Sequence, residues 1–583
     1  MAVDASFISS RVAQIFKDLN KEDIDEILQQ SEIVELDPGD YLMEQDDESS
    51  KLYFLLSGRL RSVLREGSSV QVLGDVGVGE PVGELAFFSG SPRSASVLAV
   101  RKSKALALTR AGFQTIVSHR PSFATRVNQF IISRLKRNAL EANKQAPPQN
   151  IVVVKLDPEA DFTAWSDRML DYFDEQSFNL SIYNQPENPH ENSESFFESL
   201  DNNNDLNFLV VDQKNLEWSR KILIYADLVV VATAFEDSPE LKPIEQELNI
   251  YQGGLLGKKV YLLMLHENDD EIPQGTAQWL KNRNVNLAIH LRKNHKDDIG
   301  RFCRILTHKA NGLVLGGGGA KGFAHIGVVK AMQEKGIPID FIGGASAGAL
   351  GGLTMAICDF DVSEIEHICQ ESVKKKVASK DLDIPLVSIM SGKKLTRFIR
   401  EIFKKRDIED LWVNSYCVSA NLTKAELAVH ERGKIWRKIR ASISVPGVFP
   451  PVVIDNYLHV DGGVMDNLPI DPMYRYPVDK IYAVSLSGIQ DVKTNYNDTP
   501  TSMELLTAKF SKKRRYKIPN ISSIIVNSMT LNSMQRQEIN KSKVSHYVEL
   551  DLKGMSFLSN KNWKVIVDEG YKQTKYWLEG LKQ

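Results

Sequence analysis

At 583 residues the chain is too long for one hydrophobic core, and at about 100–200 residues per domain it should form three or four domains. Hydrophobic residues make up 42% and charged residues 25%, which excludes a largely disordered chain, and 72 Lys+Arg against 75 Asp+Glu leave a formal charge of -3, with no whole-chain reason to expect nucleic acid as a partner. No apolar run approaches the ~18 residues that span a bilayer, no apolar signal segment follows Met1, and the four cysteines (303, 358, 369 and 417) lack paired spacing; this is the composition of a cytoplasmic protein with reduced thiols and no structural zinc.

The chain opens with two short amphipathic helices. Ile8, Val12, Ile15 and Leu19 repeat along one 3.6-period face, and Ile24, Ile27 and Leu28 along the next. From Ile33 to Leu108 the pattern shifts to short apolar runs such as Leu52–Leu56 and Val70–Leu73, broken by glycines at 39, 58, 67, 74, 77, 79, 83 and 90. Many short strands with glycine turns predict a small β-roll or barrel. A helix from Pro121 to about Ala142 closes this first domain, assigned to residues 1–145.

Ala146–Asn150, with two prolines, reads as a linker. In the second domain, 146–305, apolar strands at Ile151–Leu156, Phe208–Val211, Leu228–Ala232 and Val260–Met264 alternate with helical patterns, as in an open α/β sheet. The polar stretch Asn184–Asp205 reads as an exposed loop. No cluster of reactive side chains stands out, so the domain reads as structural. The third domain, 306–583, opens with Gly312–Leu315 and a glycine run and returns to β/α alternation. The fold class is therefore multidomain: an N-terminal β-roll with helices, a middle α/β domain and a C-terminal α/β domain.

Three motifs in the last domain carry chemistry. Gly317-Gly318-Gly319-Ala320-Lys321-Gly322 follows a strand and precedes the helical run Phe323–Glu334. Gly344-Ala345-Ser346-Ala347-Gly348 follows the strand Ile337–Ile342, and Asp461-Gly462-Gly463 follows Tyr457–Val460. A serine on a tight strand-to-helix turn needs small neighbours two residues away on either side, which Gly344 and Gly348 supply. The glycine run does not fit a phosphate-binding P-loop, because Ala320 precedes Lys321 and Gly322 follows it. It is closer to a dinucleotide fingerprint, but the acidic partner, Asp340, sits early in its strand, and the strand's far end carries the serine turn. The remaining reading is an oxyanion hole built from side-chain-free backbone amides, each worth about 3–4 kcal/mol in a transition state.

Together the three motifs resemble the patatin-like phospholipase family, and Ala441–Pro451 and Asp466-Asn467-Leu468-Pro469 are similar to it as well. The resemblance implies an α/β hydrolase of phospholipid or lysophospholipid acyl esters that needs no cofactor or metal. It assigns Ser346 as nucleophile and Asp461 as its only catalytic partner, with Gly317, Gly318 and Gly319 forming the oxyanion hole. His459 and His546 are the histidines weighed as a hidden third member, and each reads as structural; His325 reads as a packed helix residue. The alternative is a catalytically inactive, regulatory or lipid-binding domain.

Gly83-Glu84-Leu85-Ala86-Phe87-Phe88-Ser89-Gly90-Ser91-Pro92-Arg93-Ser94 resembles the phosphate cassette of cyclic nucleotide-binding domains. The resemblance implies that cAMP or cGMP binds as an effector, with Gly83 and Ser94 in the site, Arg93 on the cyclic phosphate and Glu84 on the ribose hydroxyl. The order of the three domains resembles that of neuropathy target esterase-type lysophospholipases, from which this chain departs in having one nucleotide module and no membrane-spanning helix at its start. A lipid substrate implies contact with a peripheral membrane surface, at the inner face of the membrane. Phe510–Lys517, with Lys512, Lys513, Arg514 and Arg515, is the basic patch expected to make that contact. Oligomerisation is left open.

Overall fold

A computed structural model describes the whole chain except residues 1, 17–19, 49–50, 67–68, 141–146, 158–161, 177, 185–199, 201–205, 212, 214–215, 252–257, 268–271, 294, 378–380, 385, 487–495, 511–535, 554, 556–561 and 582–583. Leu19, most of the 184–205 loop and the basic cluster 512–517 lie outside the described residues. The chain folds as two compact units: Met1–Glu271 with Gln278–Lys309, and Ile272–Ala277 with Ala310–Gln583.

The first unit begins with helices Ala2–Ile15 and Lys21–Gln29 and a β-roll of two four-stranded antiparallel sheets. One sheet runs Ser31–Leu36, Ser103–Leu108, Leu52–Ser57, Pro81–Val82; the other runs Tyr41–Met43, Ser96–Ala99, Leu60–Glu66, Ser69–Val76. Strand alternation explains the unbroken apolar run at 52–56. Leu52, Phe54 and Leu56 pack with Val12, Phe16 and Phe123 of the flanking helices, while Tyr53 and Leu55 pack with Val97 and Ala105 between the sheets. Both faces of that strand are therefore buried.

The same unit contains a six-stranded sheet whose pairings are all parallel, in the order Leu180–Tyr183, Leu206–Val211, Asn150–Lys155, Leu228–Ala234, Lys259–His266, Leu287–Arg292. Asp227, buried at the start of one central strand, joins this sheet to the β-roll. It accepts the N–H groups of Gln149 and Asn150 at 2.9 and 3.0 Å and pairs with Arg101 at 2.9 Å and Arg59 at 3.3 Å. Burying that carboxylate is tolerable because two guanidinium groups and two amides replace its water.

In the second unit, strands Asn414–Asn421, Phe341–Ala345, Ala310–Leu315, Val478–Leu486 and His546–Leu550 form a parallel sheet in that order. Three antiparallel strands, Glu426–His430, Val452–Ile454 and Tyr457–Asp461, complete it. The register fixes where Asp461 lies. Strand 426–430 pairs with residues 417–421 along one side of strand 414–421, so strand 341–345, which pairs with 414–418, and strand 457–461, which pairs with 419–421, must share the other side end to end. Ala345 opposes Val418 and Asp461 opposes Ser419. The rung that Ser346 vacates by turning into its helix is thus the rung that Asp461 occupies. Among the described residues no helix is long and apolar enough to cross a membrane.

Candidate active site

Ser346 sits between the strand Phe341–Ala345 and the helix Ala347–Ile357, with φ 51° and ψ -121°. A side chain in that region of backbone space costs about 1–3 kcal/mol and persists only where its surroundings enforce it. Those surroundings are tight. A Cβ on Gly348 would lie 2.0 Å from the Leu315 carbonyl oxygen, and one on Gly344 would lie 2.6 Å from the same atom. The Ser346 N–H donates to Ser442 Oγ at 3.1 Å, and its carbonyl accepts the Leu350 N–H at 3.1 Å to open the helix.

The Ser346 hydroxyl donates to Asp461 Oδ2 at 2.6 Å, although the two residues are 115 positions apart. Asp461 Oδ1 accepts the Gly463 N–H at 2.8 Å, and the Asp461 N–H donates to the Ser444 carbonyl at 2.9 Å. The carboxylate is 4% exposed. Burial raises its pKa from 3.8 to about 7, against the two hydrogen bonds, which lower it. A carboxylate of that basicity can take a proton from a hydroxyl more readily than one in water.

The glycine run lies against this pair, but its three members differ in what they offer. The sequence reading groups Gly317 with Gly318 and Gly319 as oxyanion donors. In the structure the Gly317 N–H donates to the Asn467 carbonyl at 3.1 Å, and its own carbonyl accepts Asn467 Nδ2 at 3.2 Å. Gly317 therefore contributes room rather than a free amide: a Cβ there would lie 2.9 Å from Ser346 Cβ. The N–H of Lys321 closes a 3-10 turn on the Gly318 carbonyl at 3.2 Å, and Gly319 and Ala320 head that turn, where N–H groups have no partner within the helix. His325, fully buried, holds the loop's base through Nε2 and the Gly316 carbonyl at 2.9 Å, and burial lowers its pKa to about 4.

The other histidines are engaged elsewhere. His459 Nδ1 and His430 Nε2 share the Ser419 hydroxyl at 2.8 and 2.7 Å, and His546 Nδ1 meets Ser545 Oγ at 2.6 Å. Asp340, the residue a dinucleotide site would need, accepts the Asn311 N–H at 2.8 Å just ahead of the strand Phe341–Ala345, at the opposite end from Ser346. Ser442 and Asn467 are the residues that sequence reasoning left without a role. Both fall in stretches marked only by overall resemblance, and their contacts depend on pairings that no local pattern announces.

In the first unit, a cavity of about 170 Å³ is lined by Asp75, Gly83, Glu84, Arg93 and Ser94, among others. Gly83, at φ 81°, starts the short helix Glu84–Ser89. A Cβ there would lie 2.2 Å from Arg93 Nη1, and the positive φ favours glycine. Arg93 donates to the Gly83 and Lys51 carbonyls at 2.8 and 2.6 Å and lies over the Tyr53 ring. Among the described residues no group of acidic, histidine or cysteine side chains is arranged to hold a metal.

Comparison with known proteins agrees with both regions. Residues 313–474 match the patatin-like phospholipase family model. They form a patatin-like domain. Residues 33–120 match the cyclic nucleotide-binding domain model. Taken over its length, 94% of the chain is similar to lysophospholipase NTE1 of Coccidioides immitis, at 27% identity over 40% of that protein. Lysophospholipase NTE1 of Candida albicans is 27% identical over 90% of this chain and 44% of its own length, and neuropathy target esterase sws of Drosophila melanogaster is 26% identical over 94% and 42%. The chain thus spans about two-fifths of the length of the curated relatives it matches.

Proposed function

We propose that this chain is a serine esterase hydrolysing acyl esters of phospholipids or lysophospholipids through Ser346 and Asp461, with a cyclic nucleotide as effector and no cofactor. The observation that carries the reading is the 2.6 Å bond from the Ser346 hydroxyl to a buried carboxylate. The names of the relatives, lysophospholipase and neuropathy target esterase, support the substrate class.

Asp461 takes the hydroxyl proton as Ser346 Oγ forms a bond to the acyl carbon. The resulting oxyanion would be met by amides of the loop 318–320. Collapse of the tetrahedral intermediate breaks the bond to the leaving alcohol, which receives the proton from Asp461. A water that gives its proton to the same carboxylate then attacks the acyl-serine, and the proton returns to Ser346 Oγ as the fatty acid leaves. Two proton transfers per half-cycle pass through one group, so its pKa should lie near the working pH.

The domain division 1–145, 146–305 and 306–583 belongs to the same proposal. So does the nucleotide site at Gly83, Glu84, Arg93 and Ser94, with Arg93 turning from the Gly83 and Lys51 carbonyls to the cyclic phosphate. A cytoplasmic enzyme working at the inner face of a membrane suits a lipid substrate and four free thiols. Fatty acid release from lysophosphatidylcholine tests the core of the reading. Wild type should turn over and Ser346→Ala should fall to background; equal rates would refute it.

A further inference from the structure

Between the helices Val362–Lys374 and Lys393–Phe403, residues 381–383 and 389–391 are hydrogen-bonded to each other, and the described residues between them are largely apolar. Leu382 and Met390 form an antiparallel bridge, the Asp383 N–H donates to the Ile389 carbonyl at 3.1 Å, and the Ser391 N–H donates to the Asp381 carbonyl at 2.7 Å. Despite this order, Leu382, Ile384, Leu386 and Val387 are 74%, 74%, 88% and 67% exposed. Large apolar side chains gathered on one folded projection mark a surface with an intended neighbour other than water.

The loop is tied to the catalytic frame. The Ile389 and Met390 N–H groups donate to the Gly447 and Val448 carbonyls, both at 2.9 Å, a few residues beyond Ser442 and Ser444, which hold the Ser346 and Asp461 backbones. A second exposed pair, Val453 and Leu458, face each other across the hairpin that leads into Asp461. The feet of the loop are basic. Lys374 and Lys375, at the end of one helix, pair with Glu371 and Glu401 at 3.0 Å each, whereas exposed Lys393, Lys394 and Arg397 lie in the first turns of the next.

We propose that Leu382, Ile384, Leu386 and Val387 insert into the lipid surface that holds the substrate, with Lys393 and Lys394 on anionic headgroups. Apolar residues above a basic collar match the layering of an interface, where acyl chains lie beneath charged phosphates. The biological role of this contact rests on the esterase reading, but its test does not.

The 583-residue chain is floated with vesicles of phosphatidylcholine and phosphatidylserine, beside Leu386→Glu/Val387→Glu and, separately, Lys393→Glu/Lys394→Glu. Wild type should float and lose binding as salt rises. The apolar variant should lose about tenfold or more in partition at every salt concentration, and the charge variant should lose the salt dependence. Both variants should melt within about 2 °C of wild type, since the altered side chains are exposed. Leu386→Cys carrying an environment-sensitive fluorophore supplies a second readout, a blue shift on adding vesicles. Failure of wild type to float, equal partition of the apolar variant, or an unshifted fluorophore would overturn the proposal. So would wild-type dimers in sedimentation that the apolar variant abolishes, because the face would then belong to a second copy. Hydrolysis of a short water-soluble ester by wild type, measured without vesicles, reports on the esterase reading alone.

Discussion

Replacing Asp461 by asparagine keeps the shape of the site and removes its base. Burial raises this carboxyl from 3.8 to about 7, and Ser346 and Gly463 recover part of that cost by donating to the charged form. If the ionised carboxylate is the base, kcat/KM on a lysophospholipid should be half-maximal near pH 7 and fall about tenfold per unit below it, to about 1% of the plateau at pH 5. The same shift sets the sign of a stability effect. The native state holds this proton more tightly than the unfolded state, so stability is lost as pH rises from about 4 to about 7. A shift of about 3 units corresponds to about 4 kcal/mol, borne in full above pH 8. Asp461→Asn should therefore lower kcat by about 10³-fold or more while raising Tm by about 5 °C or more at pH 8, with little difference at pH 5. Rate profiles and thermal melts at both pH values check this. A kcat/KM that stays flat down to pH 5, or a Tm gap independent of pH, would refute the reasoning.

Gly348→Ala places a methyl 2.0 Å from the Leu315 carbonyl, an atom fixed in the sheet, and should cost about 3 kcal/mol or more and abolish turnover, as melting and hydrolysis assays would report. His459→Ala and His546→Ala should each keep turnover within about threefold, because their rings bond Ser419 and Ser545; a loss of about 10³-fold in either would reinstate a triad. Arg93→Ala should weaken cyclic nucleotide binding, measured calorimetrically, by about 10–100-fold, since a charged donor to phosphate contributes about 1.5–3 kcal/mol; unchanged affinity would move the site elsewhere.

The serine turn was legible because strand, tight turn and helix together demand small residues at 344 and 348, a requirement that local sequence records directly. The β-roll was legible for the same reason, through glycines and short apolar runs. What stayed hidden depends on distant pairings. The tandem placement of strands 341–345 and 457–461 along one side of 414–421 brings Asp461 to Ser346, and nothing within either segment states it. The Asn467 clamp on Gly317 is of that kind: it removes an amide that glycine content alone would have counted. In the middle sheet, Leu180–Tyr183 and Leu287–Arg292 were missed because each mixes polar with apolar residues over a short span. The stretch from Leu382 to Met390 clusters apolar residues much as a buried strand does, so its sequence does not announce that Leu382, Ile384, Leu386 and Val387 are exposed.

Acylation of Ser346 Oγ is the central step of the proposed reaction. Reaction with a fluorophosphonate followed by peptide mapping tests this directly. The adduct should fall on Ser346, form much more slowly in Asp461→Asn, and disappear in Ser346→Ala together with lysophospholipid hydrolysis. An inactivating adduct on another residue, or hydrolysis that survives Ser346→Ala, would contradict it.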